Sequence, residues 1–292
     1  MQYEGTVYRP PVEADTFLLQ VEVGCTHNKC AFCNMFKDKR FHLVPMDKIE
    51  RDLQEARQYY MKMERIFLVD GDAFALSAGL LEQIIEKIHF YFPECETISM
   101  YASVKNVKMK SDEDLIHLRN LGVNDLYIGH ETGLDEVLTH INKGHTIKDS
   151  EEQMERLNKF GIRHHALLMI GLGGKDKGIE SGLAAARLVN KIKPGIIIFT
   201  TLAIFPETSL YEEVQNGSFV EAGEREILKE QKTILENVNL PNTYLWANHI
   251  LNSTPIAGFL GKDKKKMLET LEYSIENINE ELFKKSFRRT TL

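Results

Sequence analysis

The sequence predicts an α/β fold with a parallel sheet, and three observations support that class. Six short apolar segments alternate with segments of helical periodicity across the first 200 residues. Neighbouring parallel strands need a crossover of about a dozen residues or more, and a helix supplies one. The 292 residues are 43% hydrophobic and 27% charged, which is ordinary for a globular protein. We therefore expect strand–helix units joined by right-handed crossovers.

The first predicted strand, residues 16–23, is a largely apolar run behind a proline-containing arm. The segment Tyr8-Arg9-Pro10-Pro11 excludes a helix, because each proline disfavours helical geometry in the residue before it. We expect residues 1–15 to lie as an extended arm against the body. The same reasoning from short apolar runs predicts five further strands, at residues 65–70, 97–102, 124–129, 163–170 and 195–200.

Helical spacing of apolar residues predicts the segments between these strands. The clearest start is at Ser111, a helix-capping residue followed by acids in the first turn. The predicted helices span residues 47–63, 77–92, 111–121, 134–141, 147–160 and 176–192.

The alternation stops after residue 202. Residues 211–216, 221–237 and 262–285 have helical spacing, and residues 240–261 form an irregular link. No linker of changed composition separates this tail. We therefore expect a core over residues 1–215, including the arm, and a C-terminal helical extension over residues 216–292 that packs on it as a cover.

The charge balance argues against nucleic acid as a partner. The chain has 36 Lys and Arg against 43 Asp and Glu, a net charge of −7, whereas binding to a phosphate backbone depends on clustered basic residues. No N-terminal targeting pattern and no run of about 18 apolar residues is present. These features predict a cytoplasmic protein without a membrane span.

Three of the four cysteines lie within nine residues: Cys25, Cys30 and Cys33, in the spacing C-x4-C-x2-C. In a reducing compartment, thiolates this close are metal ligands more often than disulfides. A structural zinc site takes four ligands, and His27 offers a fourth in a cramped loop. Three thiolates can also hold a [4Fe–4S] cluster with one open iron. A third possibility is that the cysteines are buried thiols that bind no metal.

This loop resembles the cluster loop of the radical S-adenosylmethionine (SAM) enzymes. In that family three cysteines hold the cluster, and the amino and carboxylate groups of SAM bind the fourth iron. The aromatic Phe32, directly before Cys33, fits the family, where such a residue packs near the adenine. One departure is an extra residue between the first two cysteines, which a loop absorbs at low cost.

Segments that follow the predicted strands extend the resemblance. Asp70, Gly71 and Asp72 follow the second strand, where the family has a turn that holds the SAM amino group. Ser103 follows the third strand and is a further candidate for contact with the cofactor. Each of these could instead belong to an ordinary turn or loop.

The fourth strand is followed by the longest match. Residues 129–133 read Gly-His-Glu-Thr-Gly and residues 141–146 read Ile-Asn-Lys-Gly-His-Thr, similar to the branch containing anaerobic coproporphyrinogen oxidase and the methylthiotransferases. The resemblance implies that Glu131 contacts the SAM ribose or amino group and that Lys143 lies near its carboxylate. A surface Glu and Lys are the simpler alternative.

The fifth and sixth strands end in two more family-like segments. The resemblance implies that Ile170 carries the adenine and that Gly171 lets the backbone approach it. Phe205, a candidate cofactor contact, opens a segment similar to the family's Pro-Gly-Thr-x-Leu, with Glu207 in place of the glycine. The resemblance covers about residues 17–215 and implies a partial (β/α)6 TIM-like barrel, a count that agrees with the six predicted strands.

The function implied is one-electron chemistry with one [4Fe–4S] cluster and SAM. The family cleaves SAM reductively to a 5′-deoxyadenosyl radical, which takes a hydrogen atom from a substrate. The resemblance implies an electron donor such as flavodoxin or ferredoxin and an anaerobic setting. An iron–sulfur scaffold or electron-transfer protein, or a zinc-binding interaction protein, remains an alternative.

The sequence leaves the substrate and the catalytic residues open. We expect a small-molecule or peptide substrate, and the candidate contacts are the polar and aromatic residues of the irregular link: Trp246, Asn248, His249 and Asn252. These residues could equally have a structural role and complete the hydrophobic core. Cys95 stands alone and is interpreted as a structural thiol.

Overall fold

The computed structural model describes residues 2–287 and 289. The chain divides into two compact units, each assembled from separate segments. The first unit comprises Met1–Asn28, Met35–Ile128 and Glu152–His164, and the second comprises Lys29–Asn34, Gly129–Glu151 and His165–Leu292.

Ten strands are present in the described residues, most of them short and apolar. In chain order they are β1 (Phe17–Gln20), β2 (Glu22–Val23), β3 (His42–Leu43), β4 (Arg65–Val69), β5 (Thr97–Ala102), β6 (Val123–Glu131), β7 (His164–Ile170), β8 (Ile196–Thr201), β9 (Tyr244–Trp246) and β10 (Ala257–Phe259).

Eleven α-helices occupy the described segments between and after the strands. They are α1 (Met46–Tyr59), α2 (Ala78–Tyr91), α3 (Val104–Met109), α4 (Asp112–Asn120), α5 (Asp135–His140), α6 (Ile147–Lys159), α7 (Gly178–Ile192), α8 (Ser209–Asn216), α9 (Glu224–Asn237), α10 (Leu260–Asn277) and α11 (Glu280–Ser286). Short 3-10 helices lie at Pro11–Glu13 and Ala73–Ala75.

The first unit contains four parallel strands in the order β1, β4, β5, β6. Phe17 pairs with Ile66, and Ile66 pairs in turn with Ile98. The residues Ile66–Val69 are fully buried, as expected for a parallel strand covered on both faces. A register shift between Ile98 and Met100 marks an irregularity in β5 against β6.

The second unit contains β7, β8 and β9 as parallel neighbours, with β10 antiparallel to β9. Leu168 pairs with Phe199, and Ile197 pairs with Leu245. Helices α7, α9 and α10 bury their apolar faces in one core cluster with these strands. Helix α9 approaches α7 closely because Gly182 has no side chain: an added Cβ would lie 2.8 Å from the Cβ of Thr233.

The predicted α/β class is confirmed, with a strand at each of the six predicted places and a helix at each place between them. The C-terminal tail differs in two respects. The irregular link contains β9 and β10, and the single helix predicted over residues 262–285 is two helices, because Asn279 caps α11 by accepting a hydrogen bond from the Leu282 N–H at 3.1 Å.

The first strand and the arm also differ from prediction. β1 ends at Gln20, and β2 turns away to pair with β3 in an antiparallel ladder. The arm contains the 3-10 turn Pro11–Glu13, since a proline at the first position suits a helical turn. Across the described part of the chain, no helix combines the length and apolarity needed to span a bilayer.

A buried ion-pair network ties the arm to the first unit's sheet. The Arg65 guanidinium donates to Glu13 and, at 2.5 Å, to Asp125, while the Tyr127 hydroxyl donates to Glu13 at 2.7 Å. Glu13 is 1% exposed. Burial by itself raises the pKa of Glu13, but the hydrogen bonds from Arg65, Thr16 and Tyr127 outweigh it and the pKa lies below its usual value.

We predict that Arg65→Met lowers the free energy of unfolding by about 3 kcal/mol, because it leaves the buried Glu13 carboxylate without its cation. Asp125 keeps its ion pair with Arg163 at 2.8 Å. The matched control is Arg51→Met, whose partner Asp47 is mostly exposed, and we expect no measurable change there. The measurement is urea unfolding at pH 7. Folding lowers the pKa of Glu13, so ionised Glu13 stabilises the fold at pH values above its unfolded pKa of about 4.5. That stabilisation is lost as the pH falls through the pKa of the folded state. Equal midpoints for wild type and Arg65→Met would contradict this role.

Candidate functional site

Cys25 stands on a tight turn that the first unit holds with backbone hydrogen bonds. Gly24 has a φ of +91°, a conformation that favours glycine. The Gly71 N–H donates to the Gly24 carbonyl at 3.0 Å. An added Cβ on Gly71 would lie 2.7 Å from that carbonyl oxygen and 3.0 Å from the Cβ of Cys25. The glycine at position 71 therefore lets the chain pass directly beside the first cysteine.

Three buried acids surround this turn. Asp70 accepts hydrogen bonds from the Gly24 N–H at 3.3 Å and from the Lys39 ammonium at 3.2 Å, and Glu22 accepts from the Asp72 N–H at 2.7 Å. All three carboxylates are 3% exposed or less. Burial, and then repulsion from Asp72, raises the pKa of Glu22 well above its usual value, and burial also raises the pKa of Asp70.

Two oxygens of these acids are buried without a hydrogen bond to the described residues. They are Oε2 of Glu22 and Oδ1 of Asp70. Buried carboxylate oxygens are normally satisfied. This part of the first unit therefore suits a group that donates hydrogen bonds and carries positive charge.

Asp72 is fixed by two side chains. It accepts hydrogen bonds from the Thr26 hydroxyl at 3.1 Å and from the Asn106 amide nitrogen. Ser103, a predicted ligand contact, is the N-cap of α3 and accepts from the Asn106 N–H at 3.2 Å. Ser103 thus positions Asn106 through the cap.

The second half of the cysteine loop belongs to the second unit. The Ala31 N–H donates to the Ile141 carbonyl at 2.9 Å, and the Ala31 carbonyl accepts from the Leu210 N–H at 3.0 Å. The Asn142 side chain donates to the Lys29 carbonyl at 3.2 Å. These bonds fix the short segment Lys29–Asn34 against the ends of α5 and α8.

Cys30 and Cys33 flank this anchor and are partly exposed. Phe32 between them is 8% exposed and lies in an apolar cluster with Leu172 and Leu202. Within residues 2–287 and 289, no three Cys, His, Asp or Glu side chains are gathered as a ready metal site.

An ion pair lies close to these two cysteines. The Lys143 ammonium donates to Oε1 of Glu131 at 2.6 Å, and the side chains are 15% and 9% exposed. Burial lowers the pKa of Lys143, but the negative charges of Glu131, Cys30 and Cys33 outweigh burial and raise it above its usual value. A Cβ on Gly129 would overlap both charged groups.

Glu131 ends β6 in a strained conformation. Its φ is +64°, in the left-handed region that non-glycine residues rarely occupy. Such an outlier persists only where the surroundings enforce it, and functional sites are where outliers concentrate. The strain directs the carboxylate back over Gly129, towards Lys143.

The end of β7 is held by a buried acid that the sequence did not indicate. Glu230 of α9 is 4% exposed and accepts a hydrogen bond from the Gly171 N–H at 3.0 Å. Burial, and the charge of Glu226, raise the pKa of Glu230 to about 8. Gly171 has a φ of +85°, and the Ile227 side chain covers it. Ile170, the predicted adenine contact, lies 1% exposed in the core cluster.

A family model, described as the radical SAM superfamily, matches residues 20–181, more than half of the 292 residues. This chain belongs to the radical SAM superfamily. The cofactors of this superfamily are a [4Fe–4S] cluster and SAM. The family match begins just before the cysteine loop and ends within α7.

Individual relatives are similar to only part of the chain. The heme chaperone HemW of Bacillus subtilis is 26% identical over 201 residues, which are 66% of this chain and 52% of that protein. The uncharacterized methyltransferase PH0819 of Pyrococcus horikoshii is 27% identical over 191 residues, 65% of this chain and 40% of its own length. The chain thus spans about half the length of these relatives, or less.

Solved structures show the same fold at low sequence identity. Methylornithine synthase (PylB) has a TM-score of 0.55 and 14% identity, and the match covers 93% of this chain and 85% of that one. Coproporphyrinogen III oxidase (HemN) of Escherichia coli has a TM-score of 0.54 and 14% identity, covering 84% and 64%. The predicted fold class, a partial (β/α)6 TIM-like barrel, is confirmed by these likenesses.

The remaining predicted site residues of this radical SAM protein lie in the second unit. Phe205 is 8% exposed and packs with Ala203 and Leu251. The Asn252 amide donates to the carbonyls of Phe199 at 2.8 Å and Ala247 at 2.9 Å. Its oxygen accepts from the Thr201 hydroxyl at 2.9 Å. These bonds give Asn252 a structural role in joining the link to β8.

The other three candidates of the link are more accessible. The rings of Trp246 and His249 lie 6.4 Å apart, edge to face, and Asn248 is exposed. Burial lowers the pKa of His249, and its Nδ1 accepts a hydrogen bond from the Leu251 N–H, so the neutral ring carries its proton on Nε2.

Three positioning residues were missed by sequence reasoning: Glu22, Asn106 and Glu230. Glu22 could have been noticed as an acid within a strand that is otherwise apolar, directly before the cysteine loop. Glu230 lies on the apolar face of α9 that Ile227 and Ile234 define, an arrangement that marks a buried acid. No local signal points to Asn106.

We predict that Glu230→Gln removes a pH dependence from the stability of the fold. In the wild type the unfolded chain ionises Glu230 near pH 4.5, while the folded chain keeps the proton until about pH 8. The free energy of unfolding therefore falls as the pH rises from about 4.5 to about 8, by up to about 1.4 kcal/mol per pH unit. Glutamine still accepts from Gly171, so the variant should exceed the wild type in stability at pH 8. Urea unfolding from pH 4.5 to 8 measures it, with the exposed acid variant Glu236→Gln as control. Parallel pH profiles for wild type and Glu230→Gln would contradict the assignment.

Proposed function

We propose that this enzyme holds one [4Fe–4S] cluster on Cys25, Cys30 and Cys33 and cleaves SAM reductively to start radical chemistry on a substrate. When bound on these cysteines, the cluster would supply the electron that reductive cleavage of SAM requires, and SAM would supply the hydrogen-abstracting chemistry. The protein's own residues bind, orient and enclose these groups.

The observation that carries this proposal is the Glu131–Lys143 ion pair beside Cys30 and Cys33. The negative charges of Glu131, Cys30 and Cys33 raise the pKa of the Lys143 ammonium. A cation at this place suits a cofactor that binds the two cysteines as thiolates. Lys143 also offers a cation to the SAM carboxylate, and the strained Glu131 limits where that ammonium can move.

The donor groups fit the two cofactors. Three thiolates on one short loop match a cluster that keeps one iron for another ligand. In the first unit, the buried free oxygens of Glu22 and Asp70 suit the ammonium group of SAM. Asp72, held by Thr26 and Asn106, completes the acidic turn. In the second unit, Phe32 and Gly171 are the proposed contacts of the adenine.

The substrate side belongs to residues of the C-terminal extension. We infer that Trp246, Asn248 and His249 contact a small-molecule or peptide substrate, since they combine aromatic surface with polar groups and retain exposure. Asn252 donates to the Ala247 carbonyl of the link that carries them, and Phe205 packs against Leu251 of the same link. The electron comes from a donor such as a flavodoxin or ferredoxin.

We predict that Cys30→Ala, reconstituted anaerobically, retains roughly a tenth or less of the wild-type iron and makes no 5′-deoxyadenosine from SAM and dithionite. The matched control is Cys95→Ala. Cys95 is 4% exposed, and burial raises the pKa of its thiol to about 11, which disfavours the thiolate a metal needs. Cys95→Ala should therefore keep full iron content. Iron and sulfide analysis, with circular dichroism for folding, measures both.

The same reconstitution separates the alternatives. A brown protein that forms 5′-deoxyadenosine supports the proposal. A brown protein without SAM cleavage would favour an iron–sulfur scaffold, and a colourless protein with bound zinc would favour an interaction protein. Unchanged iron in Cys30→Ala would overturn the ligand assignment.

We predict that Lys143→Met weakens SAM binding at least about tenfold while the cluster still assembles, because the SAM carboxylate loses its cation and faces Glu131. The control is Lys177→Met, an exposed lysine that pairs with Glu136 and Glu180. Equilibrium dialysis of SAM against reconstituted protein gives the affinity. Unchanged affinity would contradict the role of Lys143, and loss of iron instead would assign the lysine to the cluster.

A further inference from the structure

Three aromatic rings meet on one face of the first unit's sheet. The Tyr101 ring of β5 contacts the Phe67 ring of β4 edge to face, with centroids 5.4 Å apart, and the Tyr127 ring of β6 with centroids 6.4 Å apart. Phe67 and Tyr127 are fully buried, whereas Tyr101 is partly exposed. Tyr101 is therefore the ring of these three that a ligand can reach.

The two tyrosine hydroxyls of this cluster differ in their partners. The Tyr127 hydroxyl donates to Glu13 at 2.7 Å. The Tyr101 hydroxyl makes no hydrogen bond with any residue in the described part of the chain. Burial raises the pKa of Tyr101 above its usual value, and a tyrosine hydroxyl at such depth normally has a partner. Because Tyr101 is both deep and accessible to solvent, its hydroxyl lines an open recess.

This recess lies beside the turn that we propose as part of the SAM site. Leu68 pairs with Met100, so Tyr101 stands beside Val69, one residue before Asp70. The carboxyl ends of parallel strands form the edge at which α/β barrels carry their chemistry. A substrate in the recess would therefore lie close to the cofactor that reacts with it.

The charges near the Tyr101 hydroxyl favour an anionic ligand. Arg9 exerts the strongest charge effect on this hydroxyl, followed by Glu13 and Asp70. Glu13 is paired with Arg65, and Asp70 is paired with Lys39. Arg9 is exposed and forms no ion pair with an acid within the described ranges. Its positive charge is thus the one that remains without a counterion.

We propose that the Tyr101 hydroxyl and the Arg9 guanidinium bind a carboxylate of the substrate, which makes the substrate an organic acid. A phenol donates one hydrogen bond, and a guanidinium carries five N–H donors, of which Arg9 uses one on the Ala14 carbonyl at 3.3 Å. Both groups are donors that a carboxylate accepts, and the bond from the guanidinium is charge-assisted. The apolar part of the acid packs on the accessible Tyr101 ring.

This inference rests on the proposed function only for the role of the acid as a substrate. Binding of a carboxylate at Tyr101 requires neither the cluster nor SAM. Its failure would leave the iron and 5′-deoxyadenosine results for Cys30→Ala unaffected, and the failure of those results would leave carboxylate binding intact.

The test is calorimetric titration of the full chain with benzoate and with benzamide, its neutral analogue of similar shape. We expect saturable benzoate binding with a dissociation constant in the millimolar range or below, and at least about tenfold weaker binding of benzamide. Equal binding of the two, or no saturable binding of benzoate by the folded protein, would overturn the proposal.

Two variants connect the binding to these side chains. Tyr101→Phe keeps the ring and removes the hydroxyl, and we expect about tenfold weaker benzoate binding; Arg9→Leu should weaken it at least about fivefold. The controls are Tyr273→Phe, at a 70% exposed tyrosine of the second unit, and Arg51→Leu, at an exposed arginine of α1. Wild-type benzoate affinity in Tyr101→Phe or in Arg9→Leu would place the carboxylate elsewhere and overturn the assignment.

Urea unfolding distinguishes a ligand contact from a structural hydroxyl. Tyr101→Phe should keep the wild-type midpoint, because its hydroxyl has no protein partner to lose. Tyr127→Phe should lower the midpoint, since Glu13 loses a hydrogen bond. An equal loss of stability in the two variants would show that the Tyr101 hydroxyl is structural and would overturn the proposal.

The carboxylate of SAM is the other source of the same chemistry, and equilibrium dialysis of SAM against reconstituted protein tests it. Tyr101→Phe should bind SAM as tightly as the wild type does, because we assign its hydroxyl to the substrate. A loss of SAM affinity of about tenfold in this variant would assign Tyr101 to the cofactor and contradict the proposal.

Discussion

The candidate site depends on one constraint: the charged side chains buried at the ends of strands need partners of opposite charge. In the second unit the pair is Lys143 and Glu131, held at 2.6 Å where β6 ends. A lone buried ion costs several kcal/mol, so each partner fixes the other. The strained backbone of Glu131 and the side-chain space left by Gly129 both follow from bringing these groups together.

The first unit handles buried charge in two ways. Around Arg65, two cations face two acids, since Arg163 also donates to Asp125 at 2.8 Å, and the network fastens the arm to the sheet. Around Asp70 and Glu22, acids outnumber the single Lys39, and two carboxylate oxygens remain without a partner among the described residues. The first arrangement needs no further charge, whereas the second is the one that we propose to hold the ammonium group of SAM.

Two side chains from residues 216–292 act within the interior of the second unit. Glu230 reaches from α9 to the backbone of Gly171, and Asn252 joins the link to β8 through three hydrogen bonds. Both side chains are buried, so their influence on a ligand passes through the backbone they hold. The accessible residues Trp246 and His249 are the ones that remain available for a substrate.

The sequence by itself determined the fold class, the places of six strands and of the helices predicted between them, and the cysteine loop, because these depend on periodicity and on spacing along a few residues. Tertiary structure alone decided that Asn106 fixes Asp72, that Ile170 packs in the core, and that Glu230 supports Gly171. These pairings join residues far apart in sequence, up to 59 positions for Gly171 and Glu230. The local sequence pattern shows which residues are apolar. The hydrogen-bond partner of a buried polar group depends instead on how segments distant in sequence pack together.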